Sequence, residues 1–383
     1  MPSSLLQLPP LSLYIHIPWC IRKCPYCDFN SHAAGPELPE AAYVAALLED
    51  LQQDLAWVQG RKLASIFFGG GTPSLFSANA MQQILTGVEQ LIPFQPGIEI
   101  TLEANPGTFE QDKFTGFRQT GINRLSIGMQ SFQDDKLKVL GRVHTGTEAM
   151  RAADMARTAG FDNFNLDLMH GLPKQTVADA MDDLARVFAL QPTHISWYQL
   201  TMEPNTLFWS KPPVLPEDDT LWDIQEQGQA LLAEQGYRQY ETSAYAKPGY
   251  QAQHNLNYWQ FGDFLGIGAG AHGKITQADG QILRMWKTRQ PADYLNPDKA
   301  FLAGSKVLMA EDLPFEFLMN TLRLVEGVPS TLFSQRTGLP LAQLAAGRQQ
   351  AEHKGLLDKN LAYLRPSAQG QLFLNDLLQL FLE

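Results

Sequence analysis

The sequence predicts an α/β protein built on a partial (β/α)6 barrel, and three observations predict it. Six short β-branched or apolar runs alternate with amphipathic stretches between residues 11 and 236. Alternation of that kind calls for a parallel sheet with right-handed crossovers. The polar motifs of the chain follow the apolar runs, at the carboxyl ends of strands, which is the face where barrels build their sites. Six units rather than eight make the barrel TIM-like but incomplete.

Strands are expected near residues 13–17, 65–68, 99–102, 124–129, 163–168 and 194–199. Helices are expected near 41–58, 78–91, 109–120, 147–158, 177–189 and 221–235. In the first helix Tyr43, Leu47, Leu48, Leu51, Leu55 and Val58 recur at helical spacing and give one apolar face. After about residue 236 the pattern changes. The runs around Tyr240, His254 and Phe264 read as short strands and loops that extend the barrel. From about Asp312 a helical segment begins, with Phe315, Leu318, Met319 and Leu322 on one face. A second helix over 341–350, a β-hairpin turning at Gln369-Gly370 and a last helix over 372–382 complete a small winged-helix-like domain. The expected division is 1–236, 237–305 and 306–383.

At 383 residues, with 44% hydrophobic and 10% aromatic side chains, there is material for a large core and for two or three domains. The net charge of −11 argues against a broad nucleic-acid footprint. Residues 311–383 hold six Lys/Arg against eight Asp/Glu, so the winged-helix-like part is read as a packing or partner-binding cap. The first thirteen residues lack a basic segment followed by a long apolar stretch, and no run is long enough to span a membrane. A cytoplasmic location is therefore expected, where thiols stay reduced.

The three cysteines of the chain, Cys20, Cys24 and Cys27, fall within eight residues. The CxxxCxxC spacing lets one loop present three thiolates to one inorganic centre. An odd cysteine in a long chain does not suit a disulfide framework. Structural zinc wants four ligands, with His16, His32 or Asp28 as the nearby fourth. A [4Fe–4S] cluster held by three thiolates keeps one iron open to a small molecule. Arg22 and Lys23 inside the loop favour the thiolate state.

The triplet Gly69-Gly70-Gly71 ends the second strand, where missing side chains let a ligand approach the backbone, although a tight turn explains it as well. Glu103 and Asp167 could hold ribose hydroxyls or balance a sulfonium, and Arg142 could pair with a carboxylate. Asp167 lies inside the apolar run 164–169, where an unpaired carboxylate is costly. His254 precedes Tyr258 and Trp259, which supply flat apolar surface beside a common axial ligand of heme iron. His16, His170 and His272 near the same face are competing ligands, and His144 is less easily placed.

The cysteine loop with Tyr26 between its second and third thiols, the Gly-Gly-Gly-Thr-Pro-Ser run and the strand-end residues resemble radical S-adenosylmethionine (SAM) proteins. More narrowly they resemble the branch that contains oxygen-independent coproporphyrinogen III dehydrogenase, over essentially residues 11–383. The resemblance implies a radical SAM barrel with a [4Fe–4S] cluster on Cys20, Cys24 and Cys27 and SAM on its open iron. It implies a SAM pocket lined by Tyr14, Tyr26, Gly70, Gly71, Thr72, Glu103, Gln130, Arg142 and Asp167.

Two departures set the chain apart from the dehydrogenase: Phe29 stands where that enzyme has a further cysteine, and the arm before Tyr14 is short. Both match a sister group of heme chaperones. The run His254-Asn255-Leu256-Asn257-Tyr258-Trp259 resembles that group's HNxxYW heme-binding motif, which implies His254 as the heme ligand. The function so implied is delivery of heme to apo-hemoproteins such as respiratory enzymes, including membrane-bound ones. The alternative is a radical SAM oxidoreductase that abstracts hydrogen from a porphyrinogen. A homodimer is compatible with either.

Overall fold

The chain is described by a computed structural model over residues 6–107 and 113–382. The start of the third expected helix, 109–112, lies outside the described residues. Six parallel strands follow in order: β1 Leu11–Ile17, β2 Leu63–Gly70, β3 Phe94–Ala104, β4 Arg124–Gln130, β5 Phe164–His170 and β6 His194–Gln199. Between them run α1 Glu40–Gln53, α2 Ala78–Leu91, α3 Phe114–Gln119, α4 Gly146–Thr158 and α5 Val177–Leu190, with α6 Asp218–Glu234 after the last. Two of the helices begin on reciprocal caps: Thr145 with Glu148, and Thr176 with Asp179.

The first helix stops five residues short of its expected end. Asp54 turns its carboxylate inward to Lys287 at 2.7 Å, and the chain continues as a short 3-10 turn over Leu55–Trp57. The apolar periodicity carries on through that turn, which is why sequence alone extends the helix.

Beyond the sixth unit the sheet grows at both ends. The antiparallel pair β7 Arg238–Glu241 and β8 Ala244–Ala246 adds beside β6. At the other end β9 Asp263–Ile267 lies parallel to β1, followed by antiparallel β10 His272–Thr276, β11 Ile282–Lys287 and β12 Leu302–Val307. The sheet order is therefore β12-β11-β10-β9-β1-β2-β3-β4-β5-β6-β8-β7. The incomplete barrel of the sequence reading is this sheet, extended by a seventh parallel strand.

The segment expected as strand and loop around His254 is instead a helix, α7 Gln253–Trp259, packed against β2. Its first turn has no apolar stripe, so periodicity gave no helical signal.

One apolar core fills the barrel, with Leu13, Ile15, Phe68, Leu102, Ile127, Leu166 and Ile195 all fully buried. Burying such side chains contributes about 1.5–3 kcal/mol each. A second core gathers α8 Leu313–Thr321 and the later helices around Phe317 and Phe333, and it draws Tyr240, Ala244 and Ile282 from the sheet and Phe261 from the turn before β9. The expected hairpin at Gln369-Gly370 does not form. Ser367 caps a short helix, Ala368–Leu372, by accepting from the Gly370 N–H at 3.0 Å. Gly370 is needed because a Cβ there would meet the Leu356 carbonyl oxygen at 1.9 Å, a packing demand that reads as a turn signal in the sequence. The wing is reduced to Val328–Pro329 paired with Tyr363–Leu364.

Candidate functional site: a three-thiol chamber beside an open aromatic cleft

The loop after β1 carries the three cysteines, all free and partly buried, into a chamber at the carboxyl end of the sheet. Trp19–Cys20 pairs in parallel with His32–Ala33, so both ends of the loop are anchored. The chamber has a volume of about 350 Å³. Of the twelve residues expected at the cluster and SAM, eleven line it: Cys20, Cys24, Tyr26, Cys27, Gly70, Gly71, Thr72, Glu103, Gln130, Arg142 and Asp167. Tyr14 does not. Its hydroxyl bonds His16 Nδ1 at 3.0 Å, and its ring faces a neighbouring cleft.

The backbone is bent to make room. Gly70 has φ 115°, and a Cβ on it would strike the His16 ring at 2.6 Å. Gln130, a non-glycine residue, is held at φ 68° where the pairing of β4 with β5 shifts register. A side chain at such a φ costs about 1 kcal/mol or more, and strain of this kind gathers at ligand sites. Gln130 Oε1 accepts from the Tyr198 hydroxyl at 2.8 Å.

The two buried carboxylates of the chamber, Glu103 and Asp167, make no ion pair among the described residues, although Arg22, Arg142 and Arg323 line the same space. Burial pushes Glu103 up to about 8, and the nearby Asp167 adds to the rise against one bond from the Gly70 N–H at 3.3 Å. Burial also raises Asp167, although Asn165 Nδ2 donates to it at 2.7 Å and Ser126 Oγ at 3.2 Å. Arg142 donates to Asn105 Oδ1, to the Gly128 carbonyl at 2.7 Å and to Cys24 Sγ at 3.7 Å, while its Nε is buried without a partner. Burial pushes the Cys20 thiol up to about 11 and raises Cys27 as well.

Thiols so disfavoured as anions need metal charge to ionise. Among the described residues no three His, Cys, Asp or Glu side chains converge closely enough for a single ion. Three thiols around one chamber suit a polynuclear centre, each binding its own iron. Two buried carboxylates suit a ligand bearing a sulfonium and an ammonium group. The residues present therefore fit an iron–sulfur cluster and SAM.

The structure adds chamber residues that the sequence reading passed over. Tyr198 and Ser196 come from β6, and the strand-end rule used for the first five strands would have found Tyr198 but not the mid-strand Ser196. Arg323 comes from the turn after α8, with no sequence signal. It pairs with Glu241 at 2.9 Å and lies 4.3 Å from the Trp259 ring.

A second, open cleft of about 810 Å³ adjoins the chamber. Phe29 and Trp259 line both and form their common wall. The HNxxYW residues divide between the two spaces. Asn255 faces the chamber, Tyr258 the cleft, and His254 neither. His254 is only 1% exposed, stacked on Phe67 at 5.1 Å. Both ring nitrogens are engaged, Nδ1 with Ser65 Oγ at 2.9 Å and Nε2 with the Tyr258 hydroxyl at 2.8 Å. Burial lowers its pKa to about 3, so the ring is neutral. In this arrangement His254 fixes the wall of the cleft and offers iron no free lone pair.

Comparison with known proteins agrees with the geometry. Residues 14–187 match the model of the radical SAM superfamily, and residues 308–373 match the HemN C-terminal domain. Over 99% of this chain and 92% of its own, coproporphyrinogen III oxidase (HemN) of Escherichia coli shares the fold, with a TM-score of 0.82 at 23% identity. Fold and thiol chamber thus define a radical SAM protein. The heme chaperone HemW of Escherichia coli is 55% identical, covering 99% of this chain and all of its own. That of Haemophilus influenzae is 54% identical, covering 98% and 99%. The chain belongs to the HemW family. Among the described residues no helix is long and apolar enough to cross a membrane.

Proposed function

We propose that this protein binds heme and delivers it to apo-hemoproteins, from a scaffold that carries a [4Fe–4S] cluster and SAM. The observation that carries the reading is the wall of Phe29 and Trp259, which puts an open aromatic cleft against the thiol chamber. The assignments are Cys20, Cys24 and Cys27 to the cluster, and Tyr26, Gly70, Gly71, Thr72, Glu103, Gln130, Arg142 and Asp167 to SAM. Tyr14 stands behind this pocket and His254 behind the heme cleft. Residues 1–236 are the core barrel, 237–305 the extension that bears the HNxxYW helix, and 306–383 the C-terminal domain. The setting is cytoplasmic, and the acceptors include membrane-bound respiratory enzymes.

When bound, the cluster supplies a redox-active iron site with one position open for SAM. Arg142 would hold the SAM carboxylate, and Glu103 and Asp167 would balance its positive charge. Gly70 and Gly71 admit it to the backbone, and Tyr26 closes the chamber against Phe208 at 6.4 Å. Asp28, Phe29 and Asn30 directly follow the last thiol and line the heme cleft, so ordering the loop on the cluster shapes the heme site.

The test is heme transfer to an apo-acceptor, comparing cluster-loaded with cluster-free protein. Faster transfer from the loaded form is expected, and equal rates would separate the two sites. Stoichiometric 5′-deoxyadenosine with a decarboxylated porphyrin product would support the oxidoreductase instead.

Glu103 supplies a pH signature. Its pKa in the folded protein, about 8, lies above the ordinary 4.5. As pH rises through that window the unfolded chain releases the proton first, so the unliganded protein loses stability. A sulfonium beside the carboxylate offsets that loss. The rise in Tm on adding SAM is therefore expected to grow between pH 6 and 8.5. In Glu103→Gln it should be flat with pH, and an unchanged slope in that variant would move the effect to another group.

A further inference from the structure

Three histidines surround the open cleft, and they differ in what their nitrogens already do. His16 bonds the Tyr14 hydroxyl at 3.0 Å and the Asn30 carbonyl at 2.9 Å. His254, behind Tyr258, has both nitrogens engaged as described. His272, the first residue of β10, is exposed, and neither ring nitrogen has a hydrogen-bond partner among the described residues. Partial desolvation by the cleft walls and the cations Arg284 and Arg289 hold its pKa below 6.5, so at neutral pH it presents an uncommitted lone pair.

The surroundings of His272 are those of a flat, apolar, dianionic ligand. Trp286 lies directly opposite it across the β10–β11 ladder, so both side chains stand on one face of the sheet. Trp286 is 36% exposed and Phe29, on the wall shared with the chamber, 61%. Exposed aromatics that converge on one cavity mark a ligand surface rather than a core. Arg284 and Arg289 stand at the same cleft in a chain whose net charge is −11. Arg284 is paired with Glu316 at 2.6 Å, while Arg289 has no ion pair among the described residues. Asp28 is the one acidic side chain on the cleft wall. The volume of about 810 Å³ lies within the roughly 300–1,000 Å³ of small-molecule sites.

Resting on the heme-binding reading above, we infer that heme sits in this cleft with His272 as axial ligand, its ring between Phe29 and Trp286 and its propionates toward Arg289 and Arg284. His254 is then a positioning residue. It holds Tyr258, and through the helix Trp259, as the wall between heme and cluster. Asn30 ties the wall to the ligand strand region, since its amide donates to the carbonyls of Ala269 and Arg289 at 2.9 Å each.

The experiment is an anaerobic titration of the full-length, cluster-reconstituted protein with hemin, followed by absorbance. It compares wild type with His272→Ala, His272→Cys, Arg289→Glu and His254→Gln, each checked for folding by circular dichroism. His272 and Arg289 are exposed, so their replacement should leave the fold intact. His272→Ala is expected to weaken binding on the order of 30-fold and Arg289→Glu about tenfold. His272→Cys is expected to give the shifted ferrous–CO band of thiolate ligation. His254→Gln should keep the wild-type band.

Wild-type affinity and spectrum in both His272 variants would overturn the assignment, as would loss of the axial signature in a folded His254→Gln alone. Absence of saturable binding in the wild type would instead bring down the heme-binding reading itself, and this assignment with it.

Discussion

Replacing any one of Cys20, Cys24 and Cys27 by serine is expected to remove the cluster almost entirely. Iron and acid-labile sulfide should fall below about a tenth of wild type, because losing a ligand outright costs more than the roughly 10–100-fold of losing a group that merely supports one. The chain has no fourth cysteine to substitute. Burial pushes Cys20 up to about 11, so the thiols ionise because several irons repay the desolvation together. With one thiolate gone, the remaining two face the same cost with less metal charge to offset it. Iron and sulfide analysis with EPR of the reduced protein measures the result. A serine variant that kept wild-type stoichiometry would require a ligand outside the loop and would undo the assignment.

A second large effect is expected far from any ligand. Asp263 is fully buried at the start of β9, where it accepts from Arg61 at 2.7 Å, Lys274 at 3.0 Å, and the Thr276 N–H and hydroxyl at 2.8 and 2.9 Å. Lys274 is itself buried, with its ammonium 4.2 Å from the Phe261 ring centre. Replacing Asp263 by alanine strands that ammonium and opens the edge where the extension joins β1. Breaking such a pair costs about 3–5 kcal/mol, and at roughly 2 °C per kcal/mol the Tm should fall by about 6–10 °C.

Burial alone would raise the Asp263 pKa, but Lys274 and Arg61 overcome it and hold the carboxyl below 3.8. Its stabilisation is therefore complete above the unfolded pKa and is lost as pH falls through the lower folded value. Acid unfolding should begin at higher pH in the variant. Thermal melts from pH 3 to 7 check both points, and a change of less than about 1 °C would show that Lys274 finds another partner.

The barrel was legible in the sequence because each strand is an apolar run closed by polar residues. His194–Gln199 and Ala78–Leu91 fall where periodicity puts them. The thiol loop, Glu103 and Gln130 were legible because they sit at strand ends, a position that order along the chain reveals, and Asp167, midway along Phe164–His170, because it interrupts an apolar run.

Other features depend on contacts that order along the chain does not encode. Tyr14 alternates toward the cleft rather than the chamber, and strand registry alone decides that. The α7 helix hides because its inward face is polar, with Asn257 donating to Ser12 Oγ at 2.9 Å and to the Asp263 carbonyl at 2.8 Å. Arg323 reaches its position through packing of the C-terminal helices on the barrel and lies in no pattern, whereas His272 was legible as one candidate ligand among several and only packing sets it apart from His16 and His170.

The pairing of β1 with β9, Leu11 beside Asp263, has a consequence for synthesis. The strand that leads into the thiol loop waits for a neighbour about 250 residues later in the chain. At the roughly 5–20 residues per second of translation, that neighbour emerges on the order of 10–50 seconds afterwards. Through that interval the nascent chain displays three reduced thiols on a segment with one flank of its sheet still unmade. Iron delivered during translation would meet a half-built cradle, whereas iron delivered to the released chain meets both walls. The order of manufacture, chain first and metal second, is written into which strands are neighbours.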